Sequence, residues 1–301
     1  MKTIEQGRPR TIVAGARRAL SRMTGLALVM GLVSCGTGLM AKRPYPPASP
    51  AAILDQLRKR QGAITGMDLE TRTTSWLQGQ RTRASVFMLI DRPGRLRFEA
   101  EVALQGTVAT LITDGSNFSL ADFQSHLAKQ GEACPENVAS LIPVPLQPDE
   151  IAAILLGDAP ISPEAEIVGT TWDPKAAADV VEIENRKDGT ATTHVWITLR
   201  PARAPERIDV LAVEGGTPEH RSRWRVQFDE REAAGDAGYR QPNLIKFAEP
   251  GRSFDDGVEV KVKSRKINPT FRDKVFVPTP PEGFPVESVP CCPGCKAALT
   301  P

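Results

Sequence analysis

Cysteine and histidine are the residues of this 301-residue chain best suited to covalent or metal chemistry, and it has five and three of them. His126, His194 and His220 stand far apart with no ligand-spaced partners, so neither a metal site nor a cofactor is expected. Gly-x-Ser-x-Gly, a phosphate loop and His-Glu-x-x-His are all missing. Asp255-Asp256-Gly257 suits a hairpin turn and lacks the rest of a calcium loop. Glu99 and Glu101 share a strand face with Arg95 and Arg97, which reads as solvated or paired surface charge rather than an acid/base couple. An enzyme is not expected.

The cysteines divide by position. Arg8, Arg10, Arg17, Arg18 and Arg22 form a basic region, Met23 to Val33 a short apolar run, and Leu32-Val33-Ser34-Cys35 matches a bacterial lipobox. The run is too short to span a bilayer as a mature helix. An ordinary secretory signal would share the charge and the apolar length; the four-residue motif adds a thiol placed to accept a diacylglyceryl group. Residues 1–34 therefore read as a signal peptide and Cys35 as the lipidation site, because several acyl chains hold a protein stably on a membrane. Gly36 after the cysteine resembles outer-membrane sorting signals, which implies an anchored protein facing the periplasm. Cys134, Cys291, Cys292 and Cys295 remain. Cys292-Pro293-Gly294-Cys295 has redox spacing but follows Pro290 in a tail, without a helix start to lower a thiol pKa. One such pair is also a weak zinc signal. Structural disulfides fit an exported protein better, their pairing left open.

The formal net charge of +2 argues for neither nucleic acid nor an acidic substrate. Pro44, Pro46 and Pro47 make residues 35–48 an extended tether. The length beyond it suits one large β domain, taken as 49–285, with 286–301 a cysteine-rich tail.

Within that domain, the run from Arg83 to Leu120 organises the rest. Arg95-Leu96-Arg97-Phe98-Glu99-Ala100-Glu101-Val102 alternates polar and apolar, placing Leu96, Phe98, Ala100 and Val102 on one face and the charges in water. Val86 to Ile90 before it and Thr107 to Thr113 after it, bounded by Asp91-Arg92-Pro93-Gly94 and Asp114-Gly115, complete an antiparallel meander. Two helices are expected. One is capped by Ser49 before Pro50, with Ile53, Leu54, Leu57 and Ile64 inward and Arg58, Lys59 and Arg60 on the wet side. The other runs from Pro148 to Leu156, with Ile151, Ile154 and Leu155 on one stripe and Gly157 as its stop. The remainder is strand: 179–184, 193–199, 207–213, 223–229, 244–247 and 257–263. Trp224, Val226 and Phe228, then Val258 and Val260, repeat the one-sided pattern. About nine or ten strands with one apolar face and only two short helices to cover it must curl. Either the sheet closes tightly or it leaves a cavity for an apolar ligand.

Pro143-Val144-Pro145-Leu146, followed by Ile151, Ile154, Leu156 and Gly157, resembles the lid-helix segment of the LolA/LolB-like outer-membrane lipoprotein family. The feature order agrees over roughly Ser49 to Pro285: lipobox, tether, helix, meander, this segment, and further strands ending at 258–262. The resemblance implies an unclosed antiparallel β-barrel, a mainly β fold with a small helical lid over an acyl-binding cavity. Its walls would be Leu96, Phe98, Ala100, Val102, Trp224, Val226, Phe228, Val258 and Val260, faced by Ile151 and Leu155. It implies acyl chains of lipoproteins or lipids as ligand and a periplasmic carrier protein as a further partner. It also implies an exposed apolar residue in an early hairpin, for which Leu104 in Ala103-Leu104-Gln105-Gly106 is the nearest equivalent. Segments 157–175 and 215–221 and the tail depart from the family. A scaffold or sensing lipoprotein that binds a protein with the same fold is the alternative.

Replacing Cys35 with alanine is expected to move the protein from the membrane to the soluble periplasmic fraction. Unchanged membrane retention contradicts the lipobox reading.

Overall fold

The computed structural model describes residues 41–77, 80–139, 146–202, 207–217, 223–233, 238–249 and 251–291. Cys35, the signal peptide and Pro143 to Pro145 lie outside the described residues. Helix α1 (Pro50–Ala63) begins where Ser49 Oγ accepts from the Ala52 amide at 3.3 Å. β1 (Gly66–Leu77) and β2 (Gln80–Asp91) follow, then β3 (Arg95–Val102) and β4 (Gly106–Thr113). β5 (Asn117–Asp122) and β6 (Leu127–Glu132) lead into α2 (Pro135–Val138) and α3 (Pro148–Leu155). The second half contains β7 (Glu166–Asp173), β8 (Ala178–Lys187), β9 (Thr190–Pro201), β10 (Ile208–Gly216), β11 (Trp224–Ala233), β12 (Arg240–Ala248) and β13 (Val258–Ile267), and the last strand is β14 (Val286–Val289).

These strands form one 14-stranded sheet in the order β14-β6-β5-β4-β3-β2-β1-β13-β12-β11-β10-β9-β8-β7. The two end strands do not pair, so the barrel is unclosed. Every pairing is antiparallel except β14 with β6. The strand count exceeds the expected nine or ten because β1, β5, β6, β7 and β14 carry weak apolar alternation. β1 is the instructive case: it joins the two halves by pairing with both β2 and β13, yet Thr71 and Thr74 replace hydrophobes at buried positions. Thr71 is tolerated inside because its hydroxyl donates to Val86 O at 2.9 Å. β7 lies in the segment expected to be an insertion.

The apolar side chains of both halves form one core under α1 and α3. From α1 it receives Ile53 and Leu57, and from α3 Ile151, Ile154 and Leu155. Arg60 corrects the expected wet side of α1: its side chain is 2% exposed. Its Nε donates to Asp158 Oδ1, while Nη2 donates to Gly157 O at 3.2 Å and Arg240 O at 3.1 Å. The other Asp158 oxygen accepts from Arg92, whose Nε also donates to Ile64 O at 3.1 Å. One buried carboxylate thus ties together α1, the turn after α3, and the β2–β3 turn. Gly157 is required in that turn: its φ is +76°, and a Cβ there would meet the Pro242 ring at 2.8 Å. Burial pushes the Asp158 carboxyl up from the ordinary range and the Arg92 guanidinium down, each opposed by the partner's charge.

A second correction concerns the outer face of β3. Arg95 and Arg97 are only partly in water, because the chain after β13 crosses over them. Arg95 Nη1 donates to Asp273 Oδ1 at 2.8 Å and lies 5.0 Å from the Phe276 ring, while Arg97 Nη1 donates to Val275 O at 3.4 Å. Glu99 does pair on that face, with Arg97 Nε at 2.8 Å. The strap then adds β14 beside β6 and is fastened by a disulfide between Cys134 and Cys291, which resolves the open pairing for those two thiols. Cys292 and Cys295 lie outside the described residues.

Asp158→Ala is expected to cost about 3–5 kcal/mol of folding stability, the scale for leaving a buried cation unpaired. Chemical denaturation measures it, and a loss below 1 kcal/mol contradicts the assigned role of the clip.

Candidate functional site

The alternation of β3 places Leu96, Phe98 and Ala100 inside at 0, 1 and 6% exposure. β11 contributes Trp224, Val226 and Phe228, and β13 contributes Val258 and Val260, all buried in the same core as Ile151 and Leu155 of α3. The Trp224 indole packs against Gly215, where a Cβ would come within 2.2 Å of the ring, so only glycine leaves room for it. Val102 stands apart: it is half-exposed at the end of β3 and outside the core. The pattern also reaches residues not singled out beforehand, including Met88, Ile90, Leu111, Ile245 and Phe247. Met88 and Ile90 sat in a continuous apolar run, whose facing cannot be read without the register that pairs them with Phe98 and Leu96.

α3 covers this face as a plug. It contacts β2 and β3, and Ile151 and Ile154 are fully buried. Leu146, which precedes it, is fully buried too. The β2–β3 turn reaches the helix start so closely that a Cβ on Gly94 would come within 2.8 Å of the Asp149 amide.

A cavity of about 870 Å³ opens beside the plug, not within the apolar face, and none of the residues expected to line a cavity borders it. Its walls are the start of α3 (Gln147, Asp149, Glu150), Gln61 of α1, Arg92, the 160–164 loop and the β8–β9 turn. No sequence signal marked these residues, because they converge from five segments. Glu150 accepts from the Gln147 amide at 2.8 Å, yet desolvation in the wall raises its carboxyl to about 7.

Leu104 occupies the tip of the β3–β4 hairpin, fully exposed, with φ +69°. A leucine in left-handed backbone costs about 1–2 kcal/mol. Gln105 Oε1 accepts from Gln124 Nε2 at 2.9 Å, which sets the β5–β6 turn beside this tip. The histidines form no common site: His126 packs on Phe284, His194 lies between Glu182 and Glu184, and His220 is outside the described residues. Among the described residues no group of three or more His, Cys, Asp or Glu could hold a metal, and no helix is long and apolar enough to cross a membrane.

No protein-family model and no curated protein matches the sequence. Solved structures do match the architecture. A domain of a putative outer membrane lipoprotein-sorting protein from Vibrio parahaemolyticus superposes with TM-score 0.51 at 9% identity, over 74% of this chain and 95% of that one. The fold is LolA/LolB-like. A DUF1329 family protein from Desulfovibrio piger matches with TM-score 0.53 at 10% identity, over 76% and 98% of the two chains. A LolA superfamily protein from Nitrosomonas europaea gives 0.49 at 10% identity, over 77% and 98%. In LolA/LolB-like terms, α1 and α3 are the lid and the apolar side chains of β3, β11 and β13 are the inner wall. The C-terminal strap lies on the opposite face of the sheet.

Glu150 carries a pH signature. Its carboxyl is raised from 4.5 to about 7, so the folded protein holds the proton more tightly than the unfolded chain. The resulting stabilisation is complete below the unfolded value and is lost as pH rises through about 7. Glu150→Gln is expected to gain on the parent between pH 5 and pH 8 in denaturation midpoints. A constant difference between the two proteins contradicts the shift.

Proposed function

We propose that this is a lipoprotein anchored to the outer membrane through Cys35, binding acyl chains on the inner face of its sheet and acting in lipoprotein or lipid trafficking. The observation that carries the reading is the plug. A broad apolar wall is covered by the side chains of two short helices, the 14-residue α1 and the eight-residue α3. Magnitudes make the exchange feasible. Ile151, Ile154 and Leu155 gain about 5–9 kcal/mol by burial, and ten methylenes of an acyl chain gain ~8 kcal/mol. A chain sliding under α3 therefore replaces about as much burial as it displaces. The match to a putative lipoprotein-sorting domain supports the reading. Leu104 is the residue that would touch the bilayer during transfer, since an exposed leucine held in unfavourable backbone gains energy only where it meets apolar surroundings. A periplasmic carrier would present the cargo at the lid.

Phe98→Glu sets a carboxylate against hydrocarbon and is expected to abolish displacement of a fluorescent fatty-acid probe. Arg72→Glu on the solvent side of β1 is expected to leave probe affinity within about twofold, the scale of a surface substitution. Equal affinity in both variants, or no probe bound by the parent, removes the acyl-binding role.

A further inference from the structure

One end of the first meander carries an uncharged surface. Residues 102–108, 123–127 and 283–286 hold no acidic or basic side chain apart from His126, in a chain of which 25% is charged. The fold brings these three segments together. The Phe123 amide donates to Val108 O at 3.0 Å, and Gln124 Nε2 donates to Gln105 Oε1 at 2.9 Å, which joins the β5–β6 turn to the β3–β4 hairpin. The strap reaches the same place. The Ala128 amide donates to Pro285 O at 2.9 Å, and the Phe284 ring lies 5.2 Å from Phe123 and 4.2 Å from His126. Leu104 is fully exposed here, Phe123 is 40% exposed and Phe284 is half-buried. Asp122 Oδ1 accepts the Gln124 and Ser125 amides at 2.8 and 3.2 Å, which pins the turn that presents Phe123. Charges on the border are of both signs, Glu101, Asp122 and Glu282 against Arg83 and Lys129.

We infer that Leu104, Phe123 and Phe284 form one foot that rests in the hydrocarbon border of a phospholipid bilayer. The inference rests on the bilayer contact proposed for Leu104 and extends it to the C-terminal strap, which acyl binding on the inner wall does not use. Shape favours a bilayer over a protein partner. The three side chains stand on a hairpin tip, a turn and a strap, and none of them lines a described cavity that could seat a peptide or a helix. Aromatic rings beside an aliphatic tip suit the interface, where they gain from burial without an ionic partner. The balanced border charges give little attraction to anionic lipid, so apolar burial supplies the affinity.

The test uses the chain from Gly36 onward, free of any acyl anchor, since Lys42–Pro301 forms one compact unit. Co-sedimentation with neutral phosphatidylcholine vesicles is expected to show saturable binding that high salt leaves in place. Leu104→Ser, Phe123→Ser and Phe284→Ser are each expected to weaken it about tenfold, the scale of withdrawing one large apolar side chain. Val168→Ser, comparably exposed on the far edge strand β7, is expected to change nothing. Phe123→Trp is expected to add emission that vesicles of brominated lipid quench, a readout independent of affinity. Displacement of the fatty-acid probe is expected to match the parent in every variant, because none of these side chains belongs to the core. A loss confined to Leu104→Ser overturns the foot. So does binding that requires anionic lipid and disappears in salt, or a parent that sediments as a dimer dispersed by Phe123→Ser. No vesicle binding by the parent overturns the foot and the Leu104 contact together, while retained probe displacement leaves acyl binding standing.

Discussion

The arrangement of helices over the sheet depends on one carboxylate. Asp158 is 2% exposed and holds Arg60 and Arg92 from two other elements, and Arg60 in turn reaches the backbone of β12. Hydrophobic contact alone would let α1 and α3 settle in many positions on a smooth apolar wall, since it has no direction. Hydrogen bonds between buried charges have direction, and they select one seat. Such a clip contributes little net stability, because desolvation offsets the attraction. What it contributes is specificity.

The two faces of the sheet are handled differently. Outside, covalent and strand constraints hold the C-terminal strap: β14 pairs with β6, and Cys134 is joined to Cys291. Inside, α3 is held by side-chain packing and by Asp158 one turn beyond it. The residues before α1 also contact the sheet, since Tyr45 packs edge-on against Trp172 of β7, and Arg43 pairs with Asp179. Burial beside that carboxylate raises the Tyr45 phenol to about 12.

How much of this the sequence disclosed follows from locality. Strict alternation in β3, β11 and β13 is a local signal, and it placed Leu96, Phe98, Trp224, Phe228 and Val260 in one interior. The cap at Ser49 and the stop at Gly157 are local too. Arg60 was misread because its partners lie 98 and 180 residues away, and a lone arginine within a basic run looks solvated. Arg95 and Arg97 were misread for the same reason, the strap that covers them arriving 178 residues later. The wall of the polar cavity left no trace in the sequence, since no two of its segments share a period.

The central claim is that an acyl chain lies on the inner wall under α3, and Trp224 reports on it directly. A variant with Trp76, Trp172 and Trp196 changed to phenylalanine leaves Trp224 as the sole indole. Titration with a fatty acid brominated along its chain should quench that fluorescence saturably, while the unbrominated acid should not. A brominated chain that binds by equilibrium dialysis and leaves Trp224 unquenched would contradict the account.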